Sequence, residues 1–285
     1  MSLKKSSHVE TEKQKVSTHY DMDPQVFRSF LDENMNYSCA YFDEGDEDLD
    51  EAQRRKMDLV AEKIDLGPED DLLDVGCGWG NALLYYAENY DCNATGLTLA
   101  ENQAEEILRR AKKRNLTEGI SVEVEHFQET SLPEENFDSI IFIGSIIHME
   151  DRAGAASLTY DLLKDGGKAL ISETYVPRKD AAGQDRASKF ISEEVFGYGN
   201  LISPGEEIRN LEEAGFELLD VENITDHYVR TLEIWIDRVK RRKGETDEAS
   251  PGKSKKLRTY LTLARRALKR RTSLQEQILV RKLPR

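Results

Sequence analysis

Asp74, Gly76, Gly78 and Gly80 fall within the stretch DVGCGWG, directly after the apolar residues Leu72 and Leu73. An acid closing an apolar run, followed by alternating glycines, suits a tight strand-to-helix turn whose backbone a ligand can approach. The spacing is one residue tighter than GxGxxG, and no Lys-Ser or Lys-Thr follows to support a phosphate. A plain glycine-containing strand turn would read the same way. Glu173, in LISET, stands at the carboxyl end of a second expected strand, where ligands collect in open α/β sheets, although an acid there can equally pair with an arginine such as Arg178. Cys39, Cys77 and Cys92 are an odd number without paired spacing, so they are expected as reduced thiols, with neither a disulfide framework nor a metal site.

The elements that must position these residues alternate along the chain. Strands are expected at Leu72–Gly76, Ala94–Leu99, Ile120–His126, Phe137–Gly144 and Lys168–Tyr175, and helices at Asn81–Tyr90, Glu101–Arg114 and Pro204–Ala214. The runs DLLDVG and SIIFIG are continuous rather than alternating, as strands covered by helices on both faces should be. The expectation is a doubly wound, Rossmann-like α/β sheet, mostly parallel, with an antiparallel edge made by Glu217–Ile224 and Gln275–Lys282. Outside it lie a polar arm (1–16), expected to be disordered, and a helical cap (17–66) with an amphipathic helix at Leu49–Ile64. Two substrate-side insertions (177–203 and 229–271) complete the single domain 17–285. The second holds helices at Leu232–Lys243 and Lys255–Arg271 around a polar linker, GETDEASPGKS.

The chain has 285 residues and a formal charge of −15. No apolar run approaches the roughly 18 residues a membrane span needs, and the first residues lack the apolar core of a secretory signal, so a cytoplasmic protein is expected. Charge is uneven: from Lys253 to Arg285 there are 12 Lys or Arg and one acid, +11, leaving −26 on the rest. Such a basic segment can pair with the acidic body, meet an anionic membrane surface peripherally, or remain a solvated helix face. Nucleic acid is not expected, since no binding motif or interleaving of aromatic and basic residues is present. Oligomeric state is not legible.

The acid-then-glycine turn resembles the motif of class I methyltransferases. NYSCAYF at Asn36–Phe42, LDEAQRRKMDLV at Leu49–Val60, LLDVGCGWG, GLTLAENQ at Gly96–Gln103 and HYVRTLEIW at His227–Trp235 together resemble the cyclopropane fatty acid synthase family. That family includes mycolic acid cyclopropane synthases, and the coclaurine-type N-methyltransferases are similar. The resemblance, over about residues 17–285, implies S-adenosylmethionine as cofactor, a ligand with a ribose diol, an adenine and an amino-acid end. It implies contacts from Tyr37 and Ser38 at the methionine end, with Tyr20 a weaker candidate. Asp74, Gly76 and Gly78 would supply the strand-end turn, Thr98, Leu99 and Gln103 the ribose and packing contacts, and Gln128 and Glu129 the adenine boundary.

The same resemblance implies a bound bicarbonate in cyclopropane synthases, held by a Cys backbone, a Glu, a His and a Tyr. Cys39 and Tyr228 match two of these, but the Glu position is Ile147 and the His position is Ser172. Bicarbonate and ring closure are therefore doubtful. His148, retained in GSIIHM, matches the acceptor-side histidine of the coclaurine-type relatives and is the first candidate base, with Glu173 the second. The reaction implied is methyl transfer to carbon or nitrogen of a hydrophobic acceptor, lipid-like or small. Cyclopropanation of unsaturated phospholipid chains, or cofactor binding without methylation, are the alternatives.

Overall fold

The structure, a computed structural model, describes residues 23–43, 47–177 and 200–284. Its helices are α1 (Pro24–Arg28), α2 (Leu49–Ile64), α3 (Asn81–Tyr90), α4 (Glu101–Arg114), α5 (Arg152–Leu162), α6 (Pro204–Ala214), α7 (Thr225–Arg241), α8 (Lys243–Ala249) and α9 (Lys253–Lys269). The strands are β1 (Asp71–Val75), β2 (Asn93–Thr98), β3 (Ile120–Val124), β4 (Phe137–Ile143), β5 (Leu163–Tyr175), β6 (Phe216–Asn223) and β7 (Leu274–Lys282). They form one sheet in the order β3-β2-β1-β4-β5-β7-β6. The first five are parallel, and β7 is antiparallel to both β5 and β6, as the alternation of elements led one to expect. The polar arm, Tyr20, Arg178 and most of 177–203 lie outside the described residues.

Both faces of the sheet are covered, and neighbouring strand residues divide between two apolar cores. Leu73, Ile140, Phe142, Ala169 and Ile171 pack with α5 on one side, while Leu72, Ile141 and Leu170 pack with α2, α3 and α4 on the other. This division is why the strands read as unbroken apolar runs. The chain winds outward from β1 through β2 to β3, then returns to lay β4 on β1's other side. A crevice opens at that reversal, above the carboxyl ends of β1 and β4.

A third core joins the amino-terminal cap to the carboxyl-terminal helices: Val26, Phe27, Phe30 and Leu31 pack with Leu232, Trp235 and Val239 of α7 and Leu257 and Leu261 of α9. α2 begins with a capping box, Asp48 Oδ1 accepting from Glu51 N at 2.9 Å while Glu51 Oε2 accepts from Asp48 N at 3.2 Å.

Three boundaries differ from expectation. α7 starts at Thr225 rather than Leu232, because Thr225, Val229 and Thr231 extend the buried face and packing overrides their poor helix propensity. The expected linker 244–254 contains α8, whose Thr246 hydroxyl donates to Ser29 Oγ at 2.9 Å in a buried contact with the residue after α1. β5 starts at Leu163, before the Asp165-Gly166-Gly167 turn, through a register irregularity against Phe137. Among the described residues no helix is long and apolar enough to cross a membrane.

Candidate active site

The crevice holds a cavity of about 500 Å³, within the range of small-molecule sites. Its floor is the turn after β1. Gly76 (φ +78°) donates N–H to Leu97 O at 3.0 Å, and a Cβ there would stand 2.4 Å from Ser145 Cβ. Ser145, whose hydroxyl donates to Val75 O, thus brings the end of β4 against the end of β1, and only glycine permits it. Gly78 (φ +52°) is the opposite case, since a Cβ there would meet nothing within 4 Å. Its backbone is bare toward open space.

The other walls converge from separate elements. Thr98 donates its hydroxyl to Gln103 Oε1 at 2.6 Å and accepts from Ala100 N at 3.2 Å, so the end of β2 and the first turn of α4 form one polar lip with Leu99 beside it. Phe27, Trp79, Leu97 and Phe127 supply apolar surface. Tyr37 packs edge-on to Phe27 and Phe30 at 5.6 and 5.8 Å and lies 5.4 Å from Trp235, which fixes the ring against the third core. The preceding residue is tethered as well. Asn36 donates Nδ2 to Asp32 Oδ2 at 2.7 Å and accepts from Asn81 Nδ2 at 2.9 Å, linking the cap to the start of α3.

Beyond Tyr37 and Ser38 lies a second cavity of about 90 Å³. Tyr37, Ser38 and Gly144 line both spaces, so these residues form the seam between them. Cys39, Glu173 and Tyr228 line the smaller one, among Ile147, Leu201, Tyr260 and Leu268. His148 stands in the larger one, on the 3-10 turn Ile146–His148 that follows β4. The structure therefore separates the four candidate catalytic residues, three on one side of the seam and one on the other.

Electrostatics set their capacities apart. Burial raises the Cys39 thiol well above its ordinary range, leaving it a weak donor to Ala40 O at 3.2 Å rather than a nucleophile. Glu173 is fully buried, and burial pushes its carboxyl group up to about 7, against N–H donors from Thr174 at 2.8 Å and Ile147 at 3.1 Å and the attraction of Arg152. A carboxyl group of that affinity can accept or give a proton near neutrality. Arg152 lies behind it in a buried ion pair with Glu207 at 2.6 Å.

Gln128 and Glu129, expected at the adenine boundary, do not line the cavity. The chain turns into a short 3-10 helix after β3, and Gln128 points its amide to Asp151 O at 2.9 Å, so Glu125, His126 and Phe127 form that wall instead. Among the described residues no Lys, Arg or His lines the smaller cavity, whereas Glu173 does. No cationic side chain among these would hold a small anion such as bicarbonate. The larger cavity does fit S-adenosylmethionine: open glycine backbone, apolar walls, a Thr–Gln lip, and the buried carboxylate of Asp74, which lines the cavity and has no hydrogen bond among the described residues.

Sequence reasoning passed over Lys56, Asn81 and Ser145. For Lys56 a signal existed. Gln53 and Lys56 interrupt the otherwise apolar stripe Leu49, Ala52, Met57, Val60, Ala61 and Ile64 on one face of α2.

Known proteins share this architecture. The sequence matches the family described as mycolic acid cyclopropane synthetase over residues 7–278. It is 36% identical over 227 residues to the S-adenosylmethionine-dependent methyltransferase UmaA of Mycobacterium tuberculosis, covering 76% of this chain and 78% of that one. It is 34% identical to cyclopropane mycolic acid synthase 2 of Mycobacterium leprae, covering 81% and 80%. The solved structure of mycolic acid cyclopropane synthase CmaA1, complexed with SAH and CTAB, is similar with a TM-score of 0.89 at 30% identity, over 95% of this chain and 98% of that one.

Proposed function

The chain belongs to the mycolic acid cyclopropane synthetase family, and from that premise we propose that it methylates carbon or nitrogen of a hydrophobic acceptor, with a lipid acyl chain as the favoured class. It is an S-adenosylmethionine-dependent methyltransferase. The observation that carries the acceptor reading is the seam at Tyr37, Ser38 and Gly144, with a glycine-floored cavity on one side and, on the other, a smaller space that holds a neutral-range carboxyl group among Ile147, Leu201, Tyr228, Tyr260 and Leu268.

The cofactor supplies an electrophilic methyl group from a sulfonium centre. The chain's own part is to align the two partners across the seam and to exclude water, the two factors that most lower the barrier of such a displacement. Tyr37, held by Phe27, Phe30 and Trp235, presents a fixed ring at the seam, and Tyr228 and Tyr260 add aromatic surface on the acceptor side. If the acceptor is an alkene, positive charge develops on it, and aromatic faces favour that charge. Glu173 takes the proton that the acceptor must lose, on a carboxylate oxygen already oriented by Ile147 N and Thr174 N. His148, on the donor side, orients the acceptor or serves a proton entering from there.

The alkyl chain of CTAB, present in the CmaA1 complex, supports an acyl-like acceptor. Delivery of such an acceptor would involve α9. Arg265 and Lys269 pair with Glu233, and Arg271 pairs with Asp226, so part of the basic segment meets the acidic body. Lys255, Lys256, Arg258, Arg266 and Arg270 are exposed, and we assign that face to peripheral contact with an anionic membrane from the cytoplasmic side.

The test is mass spectrometry of lipid and metabolite extracts incubated with the protein and methyl-deuterated S-adenosylmethionine. Label in a lipid fraction is expected, and retention of a double bond distinguishes transfer from ring closure. Label confined to polar metabolites, or no label with S-adenosylhomocysteine absent, overturns the acceptor assignment.

A further inference from the structure

Arg152 of α5 and Glu207 of α6 form the most deeply buried ion pair among the described residues, 4% and 0% exposed, with Arg152 Nη1 donating to Glu207 Oε2 at 2.6 Å. A pair so far from water recovers little of its desolvation cost by mutual attraction alone. Its remaining bonds run toward the smaller cavity. Arg152 Nη2 donates to Asn200 O at 3.1 Å, Asn200 N donates to Ile147 O at 2.9 Å, and Ile147 N donates to Glu173 Oε2 at 3.1 Å. This is one unbroken path from the pair to the carboxyl group near the end of β5. Ile147 and Glu173 line the smaller cavity, as does Leu201 beside Asn200. Arg152 Nε and Glu207 Oε1 make no hydrogen bond among the described residues, so nothing described there ties the pair in another direction.

The pair also acts on Glu173 through space. Arg152 attracts the Glu173 carboxylate and Glu207 repels it, the attraction being the larger. Glu276 stands opposite Glu173 in the β5–β7 register but accepts from Asn223 Nδ2 at 3.1 Å, and Tyr175 lies two residues along the same face of β5. Cys39, a neutral thiol, and Tyr228 face the group from across the smaller cavity. Burial raises the Glu173 carboxyl group, while Arg152 and the Ile147 N–H draw it back toward the range where it can take a proton near neutrality.

We propose that Arg152 and Glu207 are positioning residues for methyl transfer, holding the Glu173 carboxyl group toward the acceptor through Asn200 and the Ile146–His148 turn. This role rests on Glu173 being the proton acceptor. Glu207 anchors the guanidinium, and the guanidinium in turn braces Asn200. Because Ile147 lines the smaller cavity and His148 the larger, one brace on their turn serves both sides of the seam.

Carbon-13 NMR of chains labelled at the glutamate side-chain carboxyl carbon reads the titration midpoint of Glu173 without needing an acceptor, its resonance being the one lost in Glu173→Gln. Arg152→Met/Glu207→Leu removes both charges and the bond to Asn200. The midpoint should then rise by roughly one pH unit, the scale of a weakened hydrogen bond to a charged group. Glu207→Gln removes the repulsion and leaves the Arg152 charge to Glu173, so the midpoint should fall. Label passed at pH 7 from methyl-deuterated S-adenosylmethionine into a lipid extract should drop about fivefold in the double variant and recover above about pH 8, as ionisation of a group shifted by one unit requires. A pair that serves folding alone would leave the midpoint where the wild type has it. A midpoint that does not rise in the double variant, one that does not fall in Glu207→Gln, or label transfer unchanged at pH 7 overturns the inference. Should the double variant fail to fold, the near-isosteric Glu207→Gln decides alone. A wild-type midpoint near 4.5 instead overturns the reading of Glu173 as proton acceptor, whatever the variants do.

Discussion

Replacing Glu173 by Gln should alter the pH dependence of folding in a way that can be worked out in advance. Burial raises this carboxyl group from 4.5 to about 7. Between those values the folded chain keeps a proton that the unfolded chain has released. The group's contribution to stability is therefore complete below about pH 4.5 and is lost as pH rises through 7. At about 1.4 kcal/mol per pH unit, that interval corresponds to about 3 kcal/mol. Glu173→Gln keeps the side chain's size but cannot titrate. Urea unfolding of both chains from pH 4.5 to 7.5 should thus show the variant gaining about 3 kcal/mol on the wild type as pH rises. Asp74 titrates over the same interval in both chains and cancels in the difference. Methyl transfer should respond in the other direction, the wild-type rate rising through pH 7 and the variant's residual rate staying flat. Stability curves that run parallel across the range would refute the claim that Glu173 is held protonated by burial.

The turn after β1 and the pair behind Glu173 give two further tests. Gly76→Ala combines a left-handed backbone with a 2.4 Å overlap on Ser145 Cβ, so about 2–4 kcal/mol of stability and most S-adenosylhomocysteine binding should be lost. Adding Ser145→Gly should restore the overlap part, and an unchanged melting temperature in Gly76→Ala would dismiss the close approach of β1 and β4. Arg152→Met strands the buried Glu207 carboxylate and should cost about 3–5 kcal/mol by urea unfolding, more than half of it recovered in the double variant Arg152→Met/Glu207→Leu. Strictly additive losses would show that the two side chains do not depend on each other.

The centre of the sheet was legible because its strands carry burial on both faces: Leu72 and Leu73, or Ile140, Ile141 and Phe142, turn alternately into separate cores, whereas β3 and β6 at the edges are largely exposed. Helix ends were less legible where tertiary contacts decide them. Thr225 to Thr231 is a poor helix by propensity and becomes one through the packing of Thr225, Val229 and Thr231. The cofactor cavity follows from motifs contiguous in sequence, whereas Lys56 belongs to it only because α2 passes beneath Ser38. Gln128 illustrates the opposite limit. Nothing in EHFQE states which side chains face inward, and the 3-10 turn after β3 selects Glu125, His126 and Phe127. The division of His148 from Glu173 across the seam was likewise beyond one-dimensional reading, since it depends on where β4 ends relative to β5.

The insertion of β7 between β5 and β6 also shapes how this chain is made. β6 pairs with β7 alone, so after Asn223 emerges from a ribosome it waits for residues 274–282, roughly three to ten seconds later at about 5–20 residues per second. During that interval an unpaired strand carrying Leu218, Leu219 and Val221 is open to other nascent chains. The acids between and beside them, Glu217, Asp220 and Glu222, act as gatekeepers, repelling a second copy of the same edge; Lys63, made earlier, pairs with Asp220 and Glu222 once the strand docks, and Arg281 arrives with β7 to pair with Glu217.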